Sequence, residues 1–230
     1  MAVRPVYVPI INGSSPGVEV HEVEFQWFPG MATSQKRKSI ISLHEKAQSL
    51  GISKILEVSS KSEQDLGVSL SAFNLMIETP GNKRLFSVES AFQGSKVFEN
   101  GGPYVDLLDK SSREAKKDLR IRESGNLINF RFYDKCFPLT PRTFFYDWLY
   151  ANALAKNFDS IEAASRYEGF TDIEFNPKKS INCQAYSLAL CVSLFKHGLL
   201  ERIASPEEFL DVAYSENRVQ GESSVQAQLF

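Results

Sequence analysis

The sequence has 230 residues, of which 43% are hydrophobic and 23% are charged, a composition typical of a soluble globular protein. Its 26 basic and 28 acidic residues give a net charge of -2, so no overall positive field attracts nucleic acid or an anionic membrane. No apolar run approaches the roughly 20 residues of a membrane span, and the first six residues lack the long apolar region of a signal peptide. We therefore expect a cytoplasmic protein without a membrane partner.

The cysteines and histidines indicate no metal site. Cys136, Cys183 and Cys191 are scattered without a Cys-x-x-Cys pair, and the 3 histidines are isolated from one another. Neither a G-x-G-x-x-G pattern nor a P-loop occurs. We therefore expect no metal and no cofactor, and we expect the cysteines to be small core residues.

The first part of the chain predicts a hairpin followed by a helix. Apolar residues alternate over residues 6–11, a turn follows at residues 12–17, and the alternation resumes up to Phe25. A helix is predicted from residue 33 or 34 to about residue 50. Its first turn carries the basic residues 36–38, which form either a solvated face or a phosphate contact.

The rest of the sequence predicts more helices than strands. Short strands are expected at residues 55–58, 70–75, 84–87, 127–133 and 171–175, and helices at residues 112–119, 140–154, 161–167, 182–199 and 206–214. These strands are too short and too irregularly spaced for a Rossmann fold or a barrel. We predict an α+β, mainly helical domain with short antiparallel strands and an N-terminal hairpin.

Residues 86–98 are the most informative segment, because they predict a helix with an acid, an amide and an amine on one face. At about 100° per residue, Glu89, Gln93 and Lys96 fall within a stripe roughly 60° wide. Seven residues of helix rise about 10 Å, too far for a tight ion pair, but two long side chains can flank a ligand from either end. The stripe is therefore either the wall of a sugar site or an exposed polar face.

Two motifs resemble those of the NADAR family, and they occur in the family's order. Leu70-Ser-Ala-Phe-Asn-Leu75 followed by Ser87-Val-Glu-Ser-Ala-Phe-Gln-Gly-Ser-Lys-Val-Phe98 is similar to its Ser-x-Phe strand and its Glu-x-x-x-Gln-x-x-Lys-Phe helix. Asp172-Ile-Glu-Phe-Asn176, followed by Asn182-Cys-Gln-Ala-Tyr-Ser-Leu-Ala-Leu190 with its Asn opening a helix, is similar to its late motif, although Phe175-Asn176 stands where the YbiA branch has Trp-Gly. The wider sequence, including Glu57-Val-Ser-Ser-Lys-Ser62, most resembles the DarT-associated NADAR antitoxins.

This resemblance implies a function. DarT toxins attach ADP-ribose to DNA bases, so the chain is expected to be an N-glycosidase that releases ADP-ribose from guanine in DNA, as the antitoxin to a DarT-type toxin. DNA as substrate requires a basic groove beside the pocket, from residues 36–38 or 113–120. The alternatives are an N-glycosidase acting on a free metabolite such as a riboflavin-pathway intermediate, and a non-catalytic module that binds ADP-ribose or the toxin. We expect residues 1–52 to be a hairpin and helix extension, 53–214 the NADAR-like catalytic domain and 215–230 a polar tail.

Glu89 and Lys96 are the catalytic candidates of this interpretation. Cleavage of an N-glycosidic bond develops positive charge on the sugar, and the departing base must be protonated or solvated. Lys96 would attack the anomeric carbon as a neutral amine, while Glu89 would act as general acid and base. Gln93, one turn from Glu89, could hold sugar hydroxyls or fix the carboxylate.

The other substrate-binding candidates are less specific. Asn182 either caps a helix or lies beside a phosphate, and Trp148 either stacks on a base or belongs to the core. The remaining candidates are Lys61, Asn74, Tyr104 and Asp172.

Overall fold

The computed structural model describes residues 1–79, 81 and 83–214, and the tail predicted at residues 215–230 lies outside them. The strands are β1 (Ala2–Ile10), β2 (Gly17–Phe25), β3 (Ile55–Glu57), β4 (Met76–Glu78), β5 (Leu85–Ser87), β6 (Lys96–Phe98), β7 (Leu127–Phe132), β8 (Lys135–Phe137) and β9 (Gly169–Thr171). The helices are α1 (Thr33–Ser49), α2 (Asp65–Ser69), α3 (Val88–Gly94), α4 (Ser112–Lys117), α5 (Arg120–Glu123), α6 (Phe144–Ala155), α7 (Phe158–Ala164), α8 (Gln184–Lys196) and α9 (Pro206–Tyr214). This arrangement confirms the predicted α+β, mainly helical class.

The N-terminal hairpin is confirmed and is part of a larger sheet. Strands β1 and β2 pair from Ala2 opposite Phe25 to Ile10 opposite Gly17. Strand β1 also pairs with β9 at Tyr7 opposite Phe170, which gives the strand order β2-β1-β9-β3. The predicted extension at residues 1–52 therefore shares a sheet with strands of the predicted catalytic domain. The β3–β9 pair is parallel, unlike the predicted strands, because the intervening helices provide the long crossover that a parallel pair needs.

Helix α1 covers the hairpin through a small core of its own. Ile40, Leu43 and Ala47 are buried at the predicted helical spacing against Val6 and Phe25. A larger core surrounds α6 and α8, which are buried on nearly all sides. No helix within the described ranges is long and apolar enough to cross a membrane.

Residues 70–75 do not form the predicted strand. They follow α2 as a series of turns, and the nearest strand, β4, starts at Met76. Two polar side chains bond to the local backbone: Ser71 Oγ donates to the Val68 carbonyl at 2.8 Å, and Asn74 Nδ2 donates to the same oxygen at 2.9 Å. Such local bonds compete with strand pairing.

Helix α3 is shorter than predicted, and Lys96 is not on it. The Ser87 side chain caps its first turn by accepting a hydrogen bond from the Ser90 N–H at 3.0 Å. The helix ends at Gly94, which packs so closely that a Cβ there would lie 3.0 Å from the Tyr104 carbonyl oxygen. Lys96 then opens β6, which pairs with β7. Strand pairing has overridden the helical pattern at this point.

Candidate active site

A cavity of about 330 Å³ lies between α3 and the segment that follows β9. Two groups of side chains line most of it. The Glu89 group comprises Phe73, Glu89, Phe92, Gln93, Lys116 and Tyr146. The Asp172 group comprises Asp172, Glu174, Phe175, Lys179, Asn182 and Gln184.

The predicted acid, amide and amine form one hydrogen-bonded chain. Gln93 Nε2 donates to Glu89 Oε1 at 2.9 Å, and Lys96 Nζ donates to Gln93 Oε1 at 2.7 Å. Lys116 Nζ lies 3.6 Å from the same Glu89 oxygen. Glu89 is buried and Lys116 is half exposed, so the Lys116 amine approaches the carboxylate from the solvent side. Gln93 thus connects the Glu89 carboxylate to the Lys96 amine through two hydrogen bonds, in place of a direct ion pair.

Lys96 lies in a setting that increases the fraction of its neutral form. Burial lowers the pKa of Lys96 to about 8; the Glu89 carboxylate raises it and the Lys116 ammonium lowers it. At pH 7 roughly one tenth of the Lys96 side chains are then neutral amine, far more than for a lysine at its ordinary pKa. Lys96 is not part of the cavity lining itself, and its amine reaches the cavity through Gln93.

Asp172 is held by the backbone that follows it. Its Oδ1 accepts hydrogen bonds from the Glu174 N–H at 2.9 Å and the Phe175 N–H at 3.1 Å. The Gln184 side chain lies close enough to Asp172 to lower the pKa of its carboxyl group. The same Gln184 amide accepts from the Ala72 N–H at 2.7 Å and donates to the Val58 carbonyl at 2.6 Å. Gln184 therefore ties the Asp172 segment to both chain segments that precede α3.

A second buried acid, Glu57, lies beside Asp172. Burial and the Asp172 carboxylate raise the pKa of Glu57, and burial likewise raises the pKa of Asp172. Glu57 Oε1 accepts from Ser59 Oγ at 2.6 Å and from the Ile173 N–H at 2.9 Å. The two carboxyl groups therefore retain protons at a higher pH than ordinary carboxyl groups do.

The hydrogen bond between Glu57 and Thr171 can form whether Glu57 is protonated or ionised, because donor and acceptor can exchange roles. Thr171 Oγ1 lies 2.7 Å from Glu57 Oε2 and 2.8 Å from His44 Nε2. Burial lowers the pKa of His44 to about 4, so its ring is neutral at neutral pH. When Glu57 is protonated it can donate to Thr171, whose hydroxyl then donates to the His44 nitrogen. When Glu57 is ionised both bonds run in the other direction.

Comparison with known proteins identifies the family. The sequence model of the DarT1-associated NADAR antitoxins matches residues 2–223, nearly the whole chain. The chain belongs to this family. Comparison with curated proteins finds no match. Membership confirms the resemblance seen in the sequence, and it implies that this antitoxin is paired with a DarT toxin.

Four of the predicted site residues line the cavity of this NADAR antitoxin: Glu89, Gln93, Asp172 and Asn182. Asn182 immediately precedes Cys183, which occupies the N-cap position of α8. The Asn182 Oδ1 atom is buried without a hydrogen-bond partner among the described residues. Asn182 is therefore not the cap of α8, and its unsatisfied amide atom beside the cavity leaves the predicted binding role open.

The structure does not bring the other four binding candidates to the cavity. Trp148 is buried in the main core with its ring centroid 4.8 Å from that of Phe137, so the core alternative applies. Asn74 turns back to the Val68 carbonyl, and Tyr104 bonds to Ser124. Lys61 follows β3 and does not line the cavity either. Their predicted binding roles have no support at this cavity, although Asn74 lines a second cavity beside it.

Sequence reasoning assigned no site role to three important residues. Tyr146 lines the cavity, and burial together with the charges of both Glu89 and Asp172 raises its pKa. Gln184 and Glu57 were both present in the motifs that carry the family resemblance, and this was the only available signal for them. No group of three or more His, Cys, Asp or Glu side chains in the described part of the chain could hold a metal ion.

Proposed function

We propose that this chain is a DNA ADP-ribosyl glycohydrolase that reverses the modification of guanine by a DarT-type toxin. The observation that carries the proposal is the chain Glu89–Gln93–Lys96, which joins a cavity carboxylate to an amine of lowered pKa. N-glycosidic cleavage requires a group that attacks or stabilises the anomeric carbon and a group that moves protons. Glu89 at the cavity wall would move the protons, and Lys96, held behind Gln93, would be the attacking group.

In the proposed reaction, neutral Lys96 is the nucleophile. Its Nζ releases Gln93 and attacks the anomeric carbon of the ribose bound to guanine. The carbon–nitrogen bond to the base breaks and its electron pair leaves with guanine, while one Nζ proton passes to the Glu89 carboxylate and from there to guanine. The second Nζ proton passes through Glu89 to the ring oxygen as the carbon–oxygen bond of the ring breaks, which leaves the open sugar joined to Nζ as a neutral Schiff base. Water then adds to the Schiff base, which yields ADP-ribose and restores the amine.

The neighbouring groups support this chemistry. Gln93 fixes the Glu89 carboxylate, and Lys116 at 3.6 Å stabilises its negative charge between proton transfers. The unpartnered amide atom of Asn182 and the Asp172 carboxyl group provide hydrogen-bonding partners for ribose hydroxyls. The position of the cavity between α3 and the Asp172 segment supports these roles.

The direct test is to incubate the purified chain with an oligonucleotide that carries one ADP-ribosyl guanine. We expect free ADP-ribose and unmodified DNA to appear together, and Glu89→Gln to abolish both. Tight binding of ADP-ribose without any turnover would show that the chain is a binding module and not an enzyme. Turnover of a free N-glycoside but not of the oligonucleotide would keep the reaction and reject DNA as the substrate.

A further inference from the structure

A second cavity adjoins the first and has no role in the reaction as proposed. It has a volume of about 510 Å³ and shares Phe73 with the first cavity. It is lined by the β4–β5 hairpin and by the residues that lead into α4. We call it the Phe73 groove.

One side of the Phe73 groove is basic. Lys110 and Arg113 line it, and neither forms an ion pair with a carboxylate within 4.0 Å among the described residues. The acidic lining residue Asp109 is neutralised by Arg84 at 2.7 Å. Lys116, at the edge of the first cavity, lies with its amine 5.1 Å from the centre of the Phe73 ring. Positive charge therefore continues from the groove to the mouth of the first cavity.

The other side of the groove is apolar and exposed. Met76 is 41% exposed and Leu85 is 58% exposed, and both line the groove together with Phe73. A surface with a basic edge and an apolar or aromatic face suits a single strand of nucleic acid, whose phosphates follow the cations while its bases stack on the apolar side.

The alternative basic segment, residues 36–38, is differently placed. Lys36 forms an ion pair with Glu174 at 3.2 Å and lies over the Trp27 ring, and Arg37 lies 3.5 Å from Glu63. Two of its three charges are therefore already matched by acids. The structure thus favours the start of α4 over α1 as the source of a nucleic-acid contact.

We propose that the Phe73 groove binds the unpaired nucleotides next to the modified guanine, with Lys110 and Arg113 contacting their phosphates. The inference rests on the proposed function for the identity of the substrate. A base that enters a recessed cavity must leave the duplex stack, so its neighbours in the strand are drawn to the surface beside the cavity. The groove is that surface, because Phe73 belongs to both cavities.

The test compares two double variants that each remove two positive charges. Lys110→Ala/Arg113→Ala removes the groove cations, and Lys38→Ala/Lys46→Ala removes two exposed cations of α1. Each variant and the parent chain are assayed on a single-stranded oligonucleotide with one ADP-ribosyl guanine and on ADP-ribosylated guanosine without flanking nucleotides. The binding of an unmodified single-stranded oligonucleotide is measured in parallel by fluorescence anisotropy at a series of salt concentrations.

We expect the groove variant to lose at least about tenfold more kcat/KM on the oligonucleotide than on the nucleoside. Its slope of log affinity against log salt should be shallower than that of the parent by about 1.4, since each single-strand phosphate contact contributes about 0.7. The α1 variant should keep the parent slope. Equal losses on both substrates would mean that the groove holds ADP-ribose itself, and an unchanged slope would show that it contacts no phosphate; either result overturns the proposal.

The two proposals fail separately. If the parent chain turns over neither substrate, the proposed function is wrong, yet the salt dependence of oligonucleotide binding still decides the groove. If turnover occurs but the α1 variant shows the larger loss on the oligonucleotide, the function survives and the strand lies along α1 instead.

Discussion

The two sides of the candidate active site contain buried acids with contrasting partners. Glu89 is bonded to an amide and lies beside an amine, whereas Asp172 lies beside another carboxyl group, Glu57. The first arrangement stabilises a negative charge, and the second disfavours one. The comparison teaches that the role of a cavity acid is set by its neighbours: Glu89 suits proton transfer during catalysis, and Asp172 suits a hydrogen-bonding group that retains its proton easily.

The largest expected effect is on the Glu89 side. Glu89→Gln keeps the shape of the side chain but removes the proposed proton-transfer group, so turnover of ADP-ribosylated DNA should fall by at least about 100-fold. Stability should change little. The matched control is Glu63→Gln, which removes an exposed carboxylate that is paired with Arg37 outside the cavity. Near-normal turnover of Glu89→Gln would remove Glu89 from the mechanism.

Substitutions of Lys96 test whether its amine acts as a nucleophile or only supplies a positive charge. Lys96→Ala and Lys96→Arg should both lower turnover by at least about 100-fold, because a guanidinium keeps the positive charge but cannot attack. Borohydride added during turnover should leave ADP-ribose covalently attached, and peptide mapping should place it on Lys96 and not on Lys116. Activity that survives in Lys96→Arg, or turnover without an adduct, would favour attack by a water molecule that Glu89 activates.

The pH profile gives an independent measurement on the same amine. In the proposed reaction only the neutral form of Lys96 attacks, and its pKa is about 8, so kcat should rise roughly tenfold per pH unit below that value and level off above it. If kcat stayed constant between about pH 6 and about pH 8, the proposed role of Lys96 would be contradicted.

Local patterns predicted the Glu89 side better than the Asp172 side. Glu89 and Gln93 are one helical turn apart, and the periodicity of α3 was sufficient to place them together. Lys96 was predicted on the same helix, but it lies on β6, because pairing with β7 depends on residues more than thirty positions away that no local pattern reveals. The hydrogen bond from Lys96 to Gln93 nevertheless keeps the Lys96 amine close to Glu89, as predicted.

The Asp172–Glu57 pair could not have been found from spacing. The two acids are brought together by the parallel pairing of β3 with β9, in which Glu57 lies opposite Thr171. Likewise, Trp148 has the residue type of a stacking platform, but only the packing of α6 shows that its ring is in the core. Periodicity predicts the class of a helix or strand, while contacts between distant segments require the fold.

Packing beneath the Glu89 side gives the next largest effect. Phe92 is 7% exposed and its ring lies 5.3 Å from Phe130 and 5.1 Å from Tyr146, measured between centroids. Phe92→Ala should therefore lower the free energy of unfolding by about 3–5 kcal/mol, measured by urea denaturation. Phe92→Leu, which retains most of the buried volume, should lose much less. An unchanged midpoint for Phe92→Ala would show that α3 does not pack as described.

The smallest expected effect concerns the Asp172 side, where Glu57 should make the stability of the fold depend on pH. The folded-state pKa of Glu57 is raised above its unfolded value, so the folded protein binds more protons than the unfolded chain between those two values. Stability that depends on this proton is present at low pH and is lost as the pH rises towards the folded-state pKa. Glu57→Gln mimics the protonated acid, since its amide can donate to Thr171 while its oxygen accepts from Ser59 and Ile173.

Relative to the parent chain, Glu57→Gln should therefore gain stability as the pH rises from about 5 to about 8, by at most about 1.4 kcal/mol per pH unit. Urea denaturation at several pH values measures this difference, and Glu63→Gln again serves as the exposed control, for which the difference should not vary. A constant difference for Glu57→Gln would mean that Glu57 is ionised throughout this range. The Asp172 side would then carry the same kind of charge as the Glu89 side, and the contrast between the two acids would disappear.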